Sequence, residues 1–321
     1  MAVLTPIGAD DVGTLARSYG LGKLRAFSGI AAGSVNSNFA LELEGGKFFL
    51  RLYEEQTATG AGREAAMLER LAAAGVPTPA PLRRLDGALV SHVRGKAAAL
   101  FPWRHGFMRC QASVSLADVE RVGQALARVH IAGAGEACEP GRFRASDLLR
   151  RLEAIQASNR PEFSAIAHEL RRPLEQAEAV RTHRLPAGLT HGDLFRDNVL
   201  WAPDGRLVAL LDFESACGAA YAYDLMVTVL AWCVGDDLDG RLGAAMRKAY
   251  ESVRPLTDSE REGLWGEAVF AALRFTITRI TDYALRSVTV SGVTKDWRRF
   301  LKRFHKLQAL GPEGLAEALG L

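Results

Sequence analysis

The sequence predicts an α+β chain of two lobes, a small β-rich N-terminal one over residues 1–101 and a larger, mainly helical C-terminal one over residues 102–321. Three observations predict it. The texture changes near residue 100, from short alternating segments to helical periodicity. A Gly-Gly pair splits two strand-like runs early in the chain. A short β island between residues 198 and 211 interrupts the helices of the second part.

Each element has its own reason. Ser37 to Glu44 and Lys47 to Tyr53 alternate or run apolar around Gly45-Gly46, the pattern of a β-hairpin. The run from Gly62 to Leu71 places Met67, Leu68 and Leu71 at helical spacing, and Gly75 with Pro77 stops it. Pro79 and Pro81 lead into a strand over Ala88 to Val93, and a second strand runs from Lys96 to Phe101 before Pro102. Beyond it, Asp118 to Ile131 carries Val119, Val122, Leu126 and Val129 on one helical face. Ser146 is expected to cap a helix reaching about Ala157, and residues 163–182 form another. Ala219 to Val234 is the longest apolar stretch and predicts a buried helix headed by Asp224. Leu238 to Val253, Asp258 to Arg286 and Asp296 to Leu310 predict further helices. The β island is a hairpin, Asn198 to Trp201 and Leu207 to Leu211 about a turn at Pro203-Asp204-Gly205.

Composition excludes several classes. The 321 residues carry a net charge of +3, without the clustered basic excess of a nucleic-acid binder. Hydrophobic residues at 48% and charged residues at 24% are those of a folded globular chain rather than a disordered one. No apolar run reaches the ~18 residues of a membrane span. The N-terminus MAVLTPIGADD lacks the basic and apolar regions of a secretory signal. Cys110, Cys138, Cys217 and Cys233 are widely spaced, as free thiols in a reducing cytoplasm would be.

The chemistry concentrates around the β island. Leu189-Thr190-His191-Gly192-Asp193-Leu194-Phe195-Arg196-Asp197-Asn198 precedes the hairpin, and Leu210-Leu211-Asp212-Phe213-Glu214 follows it. Protein kinases use the same plan, H-R-D-x-x-x-x-N and then D-F-G, in which one Asp takes the hydroxyl proton and the Asn and second Asp hold Mg²⁺. Asp193 and Asn198 are therefore the candidate catalytic residues, and Asn198 and Asp212 the candidate metal ligands, both offering the oxygen donors Mg²⁺ prefers. His191 is expected to orient the loop. A nucleotide phosphate needs a flexible hairpin above it, and the Gly-, Ser- and Asn-rich run from Gly29 through Asn36, Ser37 and Asn38 to Phe39 could supply one. Arg51 on the next strand, paired with Glu64 on the following helix, is the candidate phosphate contact.

These motifs resemble the aminoglycoside phosphotransferase and choline kinase group, which has a protein-kinase-like fold. Within it the chain is most similar to the type II homoserine kinases of bacterial threonine biosynthesis. The resemblance rests on Gly33-Ser34-Val35-Asn36-Ser37-Asn38-Phe39, on the His191 to Asn198 loop, and on Leu273-Arg274-Phe275-Thr276-Ile277-Thr278-Arg279 with the later Lys295-Asp296. It implies ATP and Mg²⁺ as cofactors, a small-molecule acceptor, and transfer of the γ-phosphoryl group to the side-chain hydroxyl of L-homoserine. It also implies that Asp224 braces the catalytic loop and that adenine meets the linker around Leu100 to Trp103, including Phe101 and Trp103. Arg51 stands where the wider fold usually has Lys. Arg196, Arg274 and Arg279 are the candidates for the acceptor's carboxylate, one of them binding it. Two rival functions stay open: a kinase of another hydroxyl compound (choline, hydroxylysine, a thio-sugar or an aminoglycoside), or a nucleotide-binding module without catalysis. No nucleic-acid or membrane partner is expected, and the oligomeric state, monomer or homodimer, is left open.

Overall fold

Alternation along the early strands sets the first sheet. The structure, a computed structural model, describes residues 3–30, 35–136, 138–181, 185–285 and 295–321. Those residues fall into two compact units, residues 3–106 with 208–211, and residues 107–207 with 212–285 and 295–321.

The first unit opens with α1 (Ala9–Tyr19) and β1 (Leu24–Gly29), continues with β2 (Ser37–Leu43), β3 (Gly46–Tyr53) and α2 (Ala58–Ala73), and ends with β4 (Ser91–Val93) and β5 (Lys96–Pro102). The sheet order is β1-β2-β3-β5-β4, with every pair antiparallel. Phe39, Leu41 and Leu43 share one face with Phe48, Leu50, Leu52, Ala98 and Leu100, and α1 covers it with Val12, Leu15, Ala16 and Tyr19. The register then fixes the other face. Asn38 lies opposite Arg51, and Arg51 opposite Ala99. The sequence does not predict α1, although Val12, Leu15, Ala16 and Tyr19 have helical spacing that could have found it. It also misses β1, which shows no clean alternation because most of its residues are exposed.

The second unit is mainly helical. It contains α3 (Leu116–Ala132), α4 (Ala145–Gln156), α5 (Pro161–Val180) and β6 (Ala187–Thr190). The predicted island has strands β7 (Val199–Trp201) and β8 (Leu207–Leu210), with left-handed Gly205 (φ 81°) in the turn between them; Val208–Leu210 of β8 are grouped with the first unit. After it come β9 (Cys217–Ala220), α6 (Tyr221–Trp232), α7 (Gly240–Glu251), α8 (Asp258–Arg279) and α9 (Arg298–Leu319). β6 pairs antiparallel with β9. Every residue of α6 is buried, so the longest apolar stretch is a core helix. No helix among the described residues is long and apolar enough to cross a membrane.

Several boundaries differ from expectation. Ser146 is not the cap of α4; the cap is Arg144, whose backbone N–H donates to the Asp147 carboxylate at 3.2 Å. The predicted strand over Ala88 to Val93 shortens to Ser91–Val93. The helix predicted to Arg286 stops at Arg279 and widens into a π-turn over Ile280–Ala284; Arg286 lies outside the described residues, as does Thr182 at the expected end of α5. The last helix runs on past Leu310, through a kink where Gly311 takes φ 68° ahead of Pro312.

Candidate active site

Two chain segments meet because β6 and β9 are paired. Thr190 lies opposite Cys217, so the loop leaving β6 and the loop entering β9 emerge from the same end of the ladder. The rings of His191 and Phe213 touch across those loops, with centroids 4.4 Å apart. Gly192 sits at φ 73°, and a Cβ there would come within 2.7 Å of the Ser215 carbonyl oxygen, so the close approach requires glycine. Past it, the Asp193 carbonyl accepts from the Phe195 N–H and from the Asn198 side-chain amide, both at 2.8 Å. The two ends of the motif are thus tied into one turn.

Asp224 holds that loop from the first turn of α6. Its carboxylate accepts from the backbone N–H groups of His191 and Gly192, both at 2.7 Å, and from His130 Nε2 at 3.0 Å. His130 Nδ1 faces the Tyr250 hydroxyl at 2.7 Å, which itself accepts from Arg254. Asp224 and His130 are both fully buried. Burial holds the His130 imidazole below its ordinary value and keeps it neutral. Burial opposes the Asp224 charge, but the His130 hydrogen bond and the neighbouring donors outweigh it and hold the carboxyl low. A buried base with a depressed pKa binds fewer protons folded than unfolded, so stability falls as pH drops below the ordinary histidine value of 6.5. We expect the Tm of the whole protein to decline through that window, with the His130→Asn variant losing this part of the decline. Asp224→Ala should cost about 3–5 kcal/mol, because it strands buried donors. Both are read by thermal denaturation across pH, and an identical pH profile for the His130 variant would contradict the assignment.

Asp212 enters its loop with φ 62° and ψ 66°, a left-handed conformation rarely taken by a non-glycine residue. The chain turns there into a single 3₁₀ turn over Phe213–Ser215. Among the described residues no group of three or more His, Cys, Asp or Glu side chains could hold a metal ion.

Arg274 stands beside Asp193. Its Nη1 lies 3.8 Å from Asp193 Oδ1, an ion pair too long for a hydrogen bond. The guanidinium is 4% exposed and sandwiched between Phe143 and Phe275, 4.1 and 3.8 Å from the ring centroids. Among the described residues, its Nε and Nη1 have no hydrogen-bond partner. Arg274 lines a cavity of about 410 Å³ with Gly192, Ser215, Cys217 and Tyr223. Arg181, on the same wall, donates its Nε to both Glu267 carboxylate oxygens at 3.0 and 3.1 Å and is spent there.

The other two candidate arginines differ: Arg279 also feels the Asp193 charge, though it makes no ion pair with it among the described residues, and Arg196 lies at another cavity. Arg279 donates to the Asp296 carbonyl at 2.9 Å and covers the Phe300 ring, and burial pulls its guanidinium down to about 10. Arg196 donates to the Ala231 carbonyl and lines a different cavity, with Gln111, Arg299, Lys302 and Arg303. Sequence reasoning had no signal for Phe143, whose contact with Arg274 depends on a distant loop. His130 was detectable as a lone imidazole on the apolar face of α3.

In the first unit, Arg51 reaches Glu64 at 3.5 Å, as the spacing of strand and helix suggests. Tyr53 and Gln56 also donate to that carboxylate, at 3.2 and 2.9 Å. The side chains of Asn36 and Ser37 are used inward. Asn36 accepts from the Glu54 N–H, and the Ser37 hydroxyl accepts from Leu4 and Thr5 and donates to Glu54. Asn38 shares the Arg51 face of the sheet. Phe101 meets Phe49 on that face at 6.2 Å, and Trp103 lies under Lys47 at 4.5 Å. Residues 31–34 of the expected phosphate-covering run lie outside the described residues.

Comparison with known proteins adds to this geometry. Residues 26–265 match the model of the phosphotransferase enzyme family. A homoserine kinase of Methylocella silvestris is 36% identical over 326 residues, spanning 100% of this chain and 99% of its own. A homoserine kinase of Rhizobium etli is 35% identical over 312 residues, spanning 95% and 96%. Among solved structures, amicoumacin kinase hAmiN in complex with AMP-PNP, Ca²⁺ and Ami shares the fold with a TM-score of 0.69 at 12% identity, over 94% of this chain and 92% of that one. Spectinomycin phosphotransferase does so at 0.64 and 14%, over 98% of each. The fold is therefore the protein-kinase-like one that the sequence predicts.

Proposed function

Because the chain belongs to the phosphotransferase enzyme family, and within it to the homoserine kinases it matches end to end, we propose that it transfers the γ-phosphoryl group of ATP to the side-chain hydroxyl of L-homoserine. The observation that carries the choice of acceptor is Arg274. A buried guanidinium whose Nε and Nη1 lack a hydrogen-bond partner among the described residues is costly unless an anion completes it; this one lines a cavity, and its Nη1 lies 3.8 Å from Oδ1 of the candidate base. A carboxylate in that cavity would accept from its in-plane edge while Phe143 and Phe275 hold the faces. An aminoglycoside, carrying several ammonium groups and no carboxylate, has no use for such a cation.

Each residue then has a defined task. Asp193 accepts the proton of the acceptor hydroxyl and aims its oxygen. Asp224, through the His191 and Gly192 N–H groups, keeps Asp193 at its post. Asn198 and Asp212 would hold Mg²⁺; an amide and a carboxylate suit a hard ion that keeps its other positions for phosphate and water. A metal ion held by these two residues would supply neutralisation of the phosphate charge. On the N-terminal unit, taken as the nucleotide-binding lobe, Arg51 steadied by Glu64 is the phosphate contact, with Asn38 opposite it in register. Phe101 and Trp103 would meet the adenine.

The test uses the substrate's carboxylate. Arg274→Leu should raise the KM for homoserine about 10- to 100-fold, the scale of a lost charge-assisted hydrogen bond, and leave the KM for ATP nearly unchanged. Homoserine amide should be a correspondingly poor substrate for the wild-type enzyme. Equal turnover of the amide and of homoserine would remove the carboxylate contact and the acceptor assignment with it.

A further inference from the structure

A second cavity in the helical unit, about 270 Å³, has an unbalanced charge. It is lined by Arg196, Arg299, Lys302 and Arg303, with Gln111, Val234, Gly235 and Asp236. Asp236 is its one carboxylate, and it pairs with Lys302 at 3.0 Å. Among the described residues, Arg196, Arg299 and Arg303 have no carboxylate within ion-pair distance. The residues outside the described set contain no Asp or Glu, so none of them can neutralise the cluster. What the arginines do bind is backbone: Arg196 the Ala231 carbonyl and Arg303 the Val234 carbonyl at 3.1 Å. Burial, and then the like charges of Arg279, Arg196 and Arg299, pull the Arg303 guanidinium down to about 9.

The approach directions narrow the ligand. Arg299, Lys302 and Arg303 sit at i, i+3 and i+4 on α9 and so share one helical face. Arg196 comes from the catalytic loop. Donors converging from separate elements suit a tetrahedral oxyanion better than a planar carboxylate, which one guanidinium edge can satisfy. We infer that this cavity is a second ligand site, separate from the acceptor cavity beside Asp193, and that it binds a small phosphate-class dianion. The site touches the reaction through its own wall, since Arg196 lies between Asp193 and Asn198 in the chain.

The inference stands apart from the choice of acceptor. Inorganic phosphate, titrated calorimetrically into the whole protein pre-saturated with AMP-PNP, should bind saturably at one site per chain. The double variant Arg299→Gln/Lys302→Gln changes two exposed side chains. It should weaken phosphate binding at least tenfold, about 1.4 kcal/mol, with kcat and the KM for ATP unchanged in phosphate-free buffer. Succinate at matched ionic strength should bind at least tenfold more weakly than phosphate. No saturable binding, equal binding by the double variant, or succinate binding as well as phosphate would each overturn the assignment.

Discussion

Asp193→Asn should lower kcat by about 10²- to 10⁴-fold, the range of a positioned general base, with little change in the KM for ATP. The substitution keeps the shape of the side chain and removes its ability to take a proton. The loop should survive it, because the anchoring contacts use the Asp193 backbone carbonyl, which accepts from Phe195 and Asn198 whichever side chain is present. The Asp224 brace at His191 and Gly192 is likewise untouched. Fold and chemistry are therefore separable at this position. ADP release measured with homoserine reads kcat directly, and turnover within a few fold of wild type would take the base role away from Asp193.

Asp212→Asn should lower kcat about 10²-fold or more and raise the Mg²⁺ concentration needed for half-maximal rate, because a neutral amide is a weaker ligand for a hard divalent ion than a carboxylate. Asn is preferred to Ala because the backbone is left-handed here, and Asn tolerates that conformation while Ala pays roughly 1–2 kcal/mol for it. Asp212→Gly supplies the complementary control. It relieves the backbone, so its Tm should equal or exceed that of the wild type while activity is lost. Activity of either variant near wild type at low Mg²⁺ would contradict the ligand role.

How much of this was legible before folding depends on the range of the interactions. The hairpin around Gly45-Gly46 could be read because its signal is local: alternation on both sides of a turn that only certain residues make. The motif from His191 to Asn198 could be read because one short loop holds both ends, and the structure adds the two hydrogen bonds onto the Asp193 carbonyl that close it. Asp224 heading an apolar helix was a visible anomaly, and its three donors explain it. Other features left no local trace. The strands β6 and β9, whose pairing brings the Asp193 and Asp212 loops to one end, are four residues each and separated by the island hairpin. The cap of α4 went to a backbone N–H and Asp147, where composition pointed to Ser146.

The arginines show the division most clearly. By itself the sequence determined the two-lobed α+β class, and it singled out Asp193, Asn198 and Asp212 as candidate site groups and three arginines as candidates for the acceptor. Only the tertiary structure gives the three different surroundings, on which the choice of Arg274 is proposed. Arg274 is stacked between Phe143 and Phe275 and lies 3.8 Å from Asp193, Arg279 is turned to the Asp296 carbonyl, and Arg196 faces the cationic cavity on α9. The physical reason is that a long side chain's direction is set by what packs against it. For Arg274 that is Phe143, which no spacing rule connects to α8. Backbone patterns fix which groups a segment carries, and packing between distant segments fixes where those groups point.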